Sequence, residues 1–271
     1  MYFQILLNEC WVTVDGLQIR YLESGKEKDK HVLFIHGLGS AADRWLNIPD
    51  KLSNFHCVAI DLPGFGESDK LRDINYTIAH FGKIITLFLK EISLQNEKIS
   101  LIGHSLGGYI ASEIAIQHQD KIRKLVLIDS SGMLKKPTKI LEEYLHAAMN
   151  PTHDKVRKAF EKMVADPKRI PAQLVDGFIH RINMPNAKYS FESTLINSAM
   201  TQIGIPRLRK INPIPTLIIW GIHDNVIPLE HSKLFTEAID NSRLEIIEDA
   251  GHAPFAEKPD QVLELLRSFL N

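Results

Sequence analysis

Six short apolar runs, each separated from the next by a stretch of different character, constrain this chain most. Residues 31–35, 56–60, 98–102, 124–128, 216–220 and 244–247 are rich in Val, Ile and Leu, and bounded too tightly to be helices. Their apolarity is continuous rather than alternating, which marks strands buried on both faces. Helical patterns at 41–52, 78–92, 105–118, 229–239 and 256–270 supply the cover. The expectation is an α/β fold around a mostly parallel sheet. Ahead of these runs, residues 11–14 and 17–22 flank Asp15-Gly16, the strongest two-residue hairpin signal. An antiparallel hairpin at the start brings the expected sheet to eight strands.

The alternation stops between 133 and 208, where helical periods and six prolines replace strands. This predicts a helical cap (133–208) inserted into a core made of 1–132 and 209–271. Val156, Ala159, Phe160, Met163 and Val164 form an apolar stripe there, with Lys155, Arg157, Lys158 and Lys162 off it. The segment carries 12 Lys or Arg against seven Asp or Glu, an excess of five positive charges that suits an anionic substrate or an acidic carrier. The plainer expectation is a basic face turned to water.

The run Gly103-His-Ser-Leu-Gly107 ends one apolar strand and opens a helix. Glycines flanking a sharp strand–helix turn avoid the clash of a Cβ, and the turn holds the Ser105 hydroxyl out at the strand's end. Peptide N–H groups at the start of the helix favour negative charge beside it. Such a serine needs a base, and the base needs an acid to orient it. Asp224 follows the run 216–220 and His252 follows 244–247, both on loops at the sheet edge where open α/β sheets bind ligands. Upstream, the first long strand ends in His36-Gly-Leu-Gly39. The backbone N–H groups of Leu38 and Leu106 are expected to form the oxyanion hole. His36 is expected to orient that loop or touch substrate, and Trp45 and Phe255 are candidate walls of the acyl pocket.

Four motifs in order, His36-Gly-Leu-Gly39, Asp61-Leu-Pro-Gly-Phe-Gly-Glu-Ser-Asp69, Gly103-His-Ser-Leu-Gly107 and Gly251-His252, make the chain resemble the α/β-hydrolase family over nearly its whole length. The resemblance implies a Ser105–His252–Asp224 triad, with Asp129 as the rival acid because some members carry it after the preceding strand. It also implies a serine hydrolase of the carboxylesterase or lipase kind, cleaving small to medium acyl esters. The same triad serves carbon–carbon bond hydrolases, cofactor-free peroxidases, acyltransferases and ligand-sensing proteins without turnover. Meta-cleavage-product hydrolases resemble the chain at Asp61–Asp69 but usually have Asn before the serine and Trp after the histidine, where this chain has His104 and Ala253.

Charge and composition narrow the partners. Lys and Arg total 32 against 33 Asp and Glu, so nothing global favours nucleic acid. Cys10 and Cys57 form no metal-type pair, and free thiols in a reducing, cytoplasmic setting are expected. No run reaches the roughly 20 apolar residues of a membrane span, and residues 1–7 lack the features of a signal peptide. Phosphate-loop, dinucleotide and metal motifs are absent, so no cofactor and no metal are expected. The chain is read as a monomer or homodimer acting on a small-molecule ester.

Overall fold

The computed structural model describes residues 7–199 and 201–271; the start of the apolar segment 1–7 lies outside them. Strands β1 (Asn8–Val14) and β2 (Leu17–Ser24) pair antiparallel about Asp15 and Gly16, both at positive φ as the twist of a two-residue hairpin requires. Six parallel strands follow: β3 (His31–Ile35), β4 (His56–Ile60), β5 (Ile99–His104), β6 (Ile122–Ile128), β7 (Thr216–Gly221) and β8 (Ser242–Ile247). They form one eight-stranded sheet in the order β1-β2-β4-β3-β5-β6-β7-β8, with β2 antiparallel to β4. The expected fold class holds. Every residue of β4, β5 and β7 is buried, which is why those runs read as unbroken apolar segments.

Helices α1 (Ile78–Glu91) and α2 (Leu106–Gln117) pack together. Thr77 opens α1 by accepting the His80 N–H at 3.1 Å. Between β6 and β7 the chain makes α3 (Lys139–Met149), α4 (His153–Glu161), α5 (Ala172–Ile182), α6 (Ala187–Ala199) and the short α7 (Ile205–Leu208). No strand occurs there among the described residues. After β7 come α8 (Glu230–Ala238), α9 (Pro254–Glu257) and α10 (Pro259–Leu270).

Two helix expectations need correction. The predicted helix at 41–52 is two 3₁₀ turns, Ala42–Trp45 and Pro49–Lys51. Pro49 has no N–H to continue a helix, and the buried Asp61 carboxylate takes the Ala42 N–H at 2.6 Å. The predicted helix at 256–270 is broken into α9 and α10 by Pro259. On α4 the basic side chains face water and largely pair with acids: Arg157 with Glu161 at 3.1 Å, Lys158 with Asp154 at 2.9 Å, and Lys162 with Glu143. Cys10 and Cys57 are unpaired thiols. Among the described residues no helix is long and apolar enough to cross a membrane.

Candidate active site

Parallel strands bring their carboxyl ends to one edge of the sheet, and the residues singled out above meet there. β5 ends at His104 and α2 begins at Leu106, so Ser105 alone makes the turn. Its φ of 52° and ψ of −116° are rare for a residue with a side chain, a strain of about 1–3 kcal/mol. Neighbouring backbone holds it: Ser105 N–H donates to Ile128 O at 3.0 Å, and Ser131 N–H donates to Ser105 O at 3.1 Å. A Cβ on Gly103 would stand 2.3 Å from Gly107 O, and one on Gly107 would stand 2.1 Å from Ile35 O. Only glycines let the start of α2 lie this close to β3 and β5.

His252 lies on the loop after β8, and its Nδ1 bonds Asp224 Oδ2 at 2.8 Å. Asp224 Oδ1 accepts the Val226 and Ile227 N–H groups at 2.7 and 3.0 Å, which fixes the carboxylate's orientation. With the Asp224 carboxylate accepting from Nδ1–H, Nε2 is the ring nitrogen left free of it. The loop is tied down on three sides. His252 N–H donates to Met163 O at 2.7 Å, and Glu257 accepts from Gly251 N–H at 2.9 Å and Ala165 N–H at 2.8 Å. His104 Nε2 donates to His252 O at 2.6 Å. Burial, reinforced by His252 nearby, holds the His104 pKa well below its usual 6.5, so that ring is neutral. Ser105 and His252 line one cavity, and among the described residues no hydrogen bond joins their side chains.

The loop after β3 is set by His36. Its Nε2 accepts the Leu62 N–H at 3.0 Å, so Nδ1 is the donor to Gly37 O at 2.7 Å. Burial lowers the His36 pKa and keeps the ring neutral for this double role. Because a peptide is planar and trans, pinning the Gly37 carbonyl turns the Leu38 N–H to the opposite side. Among the described residues neither the Leu38 nor the Leu106 amide donates a hydrogen bond, and both residues flank Ser105 in a small second cavity.

The cavity lined by Ser105 and His252 has a volume of about 110 Å³. Its walls are mostly apolar, with Leu141 and Tyr144 from α3, Phe160 from α4, and Leu174 and Phe178 from α5. None of the three residues expected to contact substrate, Trp45, Phe255 and His36, lines this cavity. Trp45 is fully buried and stacks on Phe255 with centroids 4.4 Å apart. Phe255 also meets His104 edge-on, with centroids 4.9 Å apart, and is not part of the cavity wall. His36 is likewise outside the wall, since both ring nitrogens are engaged by backbone.

Asp129 directly follows β6 and is completely buried. Its Oδ1 accepts the Gly221 N–H at 2.9 Å, while Oδ2 has no partner. Donor atoms of Asp129, Asp224 and His252 lie within 4.8 Å of one another, a spacing that a metal ion could bridge. The Asp224 oxygens are already bonded to two amides and to His252, so the donor set is committed to hydrogen bonds. Burial, then the Asp224 charge, hold the Asp129 pKa well above the usual 3.8.

Sequence reasoning missed Arg44, Arg181 and Glu257. Arg44 and Arg181 line the cavity, and Glu257 braces the His252 loop. A signal existed for Arg181, which falls three residues after Phe178 and seven after Leu174 on one face of α5. Arg44 lies in a 3₁₀ turn, where no helical period announces which way it points.

Relatives agree with this architecture. The chain is 30% identical to the uncharacterized hydrolase YugF of Bacillus subtilis (strain 168), covering 95% of this chain and 96% of that protein. It is also 30% identical to the 2-hydroxy-6-oxo-6-(2'-aminophenyl)hexa-2,4-dienoic acid hydrolase of Metapseudomonas resinovorans, covering 97% of this chain and 91% of that one. Among solved structures, a bacterial membrane phospholipase A superposes with a TM-score of 0.81 at 28% identity, over 97% of this chain and 86% of the other. The model of the alpha/beta hydrolase fold matches residues 30–155 and 157–259, a span that takes in β3 through β8 and the whole cluster around Ser105, and by that match the chain belongs to the α/β-hydrolase family.

Proposed function

We propose that this hydrolase cleaves carboxylic esters of small to medium acyl length through an acyl-enzyme on Ser105. The observation that carries the reading is the Asp224–His252 bond of 2.8 Å on one side of Ser105, with two undonated amides on the other. His252 takes the Ser105 proton as Oγ attacks the ester carbonyl, and the Leu38 and Leu106 amides receive the developing oxyanion. His252 then protonates the leaving alcohol, and water repeats the sequence to free the acid. Asp224 holds the His252 tautomer throughout. Helices α3–α6 act as the cap, and the cavity of about 110 Å³ beneath them limits acyl length. The two free thiols and the lack of a membrane-crossing helix among the described residues fit a cytoplasmic small-molecule enzyme.

The test is multiple-turnover release of p-nitrophenol across acyl chains from acetate to palmitate. Sustained turnover with a steep fall beyond about C8 supports a capped esterase. Stoichiometric binding without turnover would identify a ligand-sensing protein instead. A second reading, hydrolysis of a carbon–carbon bond, is favoured by the relative from Metapseudomonas resinovorans whose name describes a dienoic acid hydrolase. Against it stands the local chemistry, because His104 binds the His252 backbone at the position where such enzymes usually have Asn.

A further inference from the structure

The cavity above Ser105 contains two cations and no anion. Arg44, from the loop after β3, and Arg181, near the end of α5, both line it, and no Asp or Glu does. Among the described residues neither guanidinium makes a hydrogen bond or an ion pair. Arg44 lies 5.8 Å from the centroid of the Phe255 ring, and Arg181 Nε is buried without a partner. Elsewhere the chain satisfies its buried cations. Arg20 contacts Glu9, Asp43 and Asp61, and Lys70 donates to Gly66 O and Ser68 O. Both side chains are half-buried, yet Arg181 Nε lies out of solvent with no acceptor, and two like charges facing one space repel each other. Burial, then the Arg181 charge, weaken Arg44's hold on its proton, as a positive field in the cavity must.

We infer that Arg44 and Arg181 bind a carboxylate of the substrate, so the ester carries a free acid group, as in a half-ester of a dicarboxylic acid or an acylated hydroxy acid. The inference rests on the ester reading above and names its substrate class. Guanidinium forks match a planar carboxylate two bonds at a time, and the ion would neutralise the pair it joins. The exposed lysines on and beside α4 have acidic neighbours or face solvent; among the described residues the arginines in the cavity have neither acid nor backbone acceptor.

Two comparisons test this in the wild-type protein: p-nitrophenyl hemiglutarate against p-nitrophenyl valerate, and 3-acetoxybenzoate against phenyl acetate. The first puts the acid on the acyl half and the second on the alcohol half. At least one anionic member is expected to exceed its neutral partner by about tenfold in kcat/KM. Arg181→Gln and Arg44→Gln should each reduce that ratio by about tenfold, and Arg181→Lys should restore part of it. Ratios at or below one in both wild-type comparisons overturn the inference. Calorimetry of Ser105→Ala with glutarate separates this failure from failure of the ester reading. Glutarate binding that disappears when Arg181→Gln is added supports the anion site even if no ester is turned over. No glutarate binding, or tighter binding of methyl phosphate, overturns the carboxylate assignment.

Discussion

Asp129 and Asp224 stand side by side at the ends of β6 and β7, both buried, yet only Asp224 bonds His252. Two adjacent carboxyls in a dry site do not both ionise readily, and burial, then the Asp224 charge, raise the Asp129 pKa well above 3.8, which favours its protonated form. Asp224→Asn should therefore lower kcat by about 10⁴, through the wrong His252 tautomer. Asp129→Asn mimics the protonated acid and should stay within about threefold of wild type. Steady-state kinetics of both variants with p-nitrophenyl butyrate decides the assignment, and the reverse pattern would make Asp129 the triad acid.

The same proton links stability to pH. Asp129 has a raised folded-state pKa, so its contribution is complete below the unfolded value near 3.8 and is lost as pH rises toward the folded value. In that window the unfolded chain ionises Asp129 while the folded chain does not, at about 1.4 kcal/mol per pH unit for one proton. Urea unfolding at pH 4.5 and 6 should show Asp129→Asn gaining stability relative to wild type at the higher pH. A pH-independent difference would mean that Asp129 ionises in the folded protein.

The three members of the proposed triad were legible because each follows an apolar run by no more than a few residues. Strands buried on both faces leave a continuous apolar trace, and their ends locate the loops that meet at the sheet edge. Asp224 and His252 are 28 residues apart and meet because β7 and β8 are neighbours in the sheet. Trp45 was harder to place. Its orientation depends on 3₁₀ turns shaped by Pro49 and by the Asp61 carboxylate from a different loop. Arg44 shares that turn, and the bracing by Glu257 depends on a contact with Ala165, 92 residues away, that no local spacing encodes.

His36 acts on the Leu38 amide through the Gly37 carbonyl, and this predicts a kinetic signature. His36→Ala frees the carbonyl and leaves the Leu62 N–H without its acceptor. A drop of about 10- to 100-fold in kcat with a smaller change in KM is expected, because oxyanion donors act mainly in the transition state. A rise in KM alone would show that His36 serves binding.

Glu257 joins the His252 loop to the chain after α4 through the Gly251, Ala253 and Ala165 amides. Glu257→Ala removes all three acceptor contacts. It should lower unfolding stability by about 1–3 kcal/mol and reduce kcat as His252 loses its support. Thermal unfolding and steady-state rates measured on the same sample check both, and unchanged kcat in a destabilised variant would confine Glu257 to stability.

Covalent capture tests the central claim most directly. Intact-mass analysis and peptide mapping after exposure to a fluorophosphonate should show one adduct, on Ser105, formed far more slowly in His252→Ala and absent in Ser105→Ala, together with loss of ester turnover. An adduct on another residue, or ester turnover in Ser105→Ala near the wild-type rate, would contradict the account.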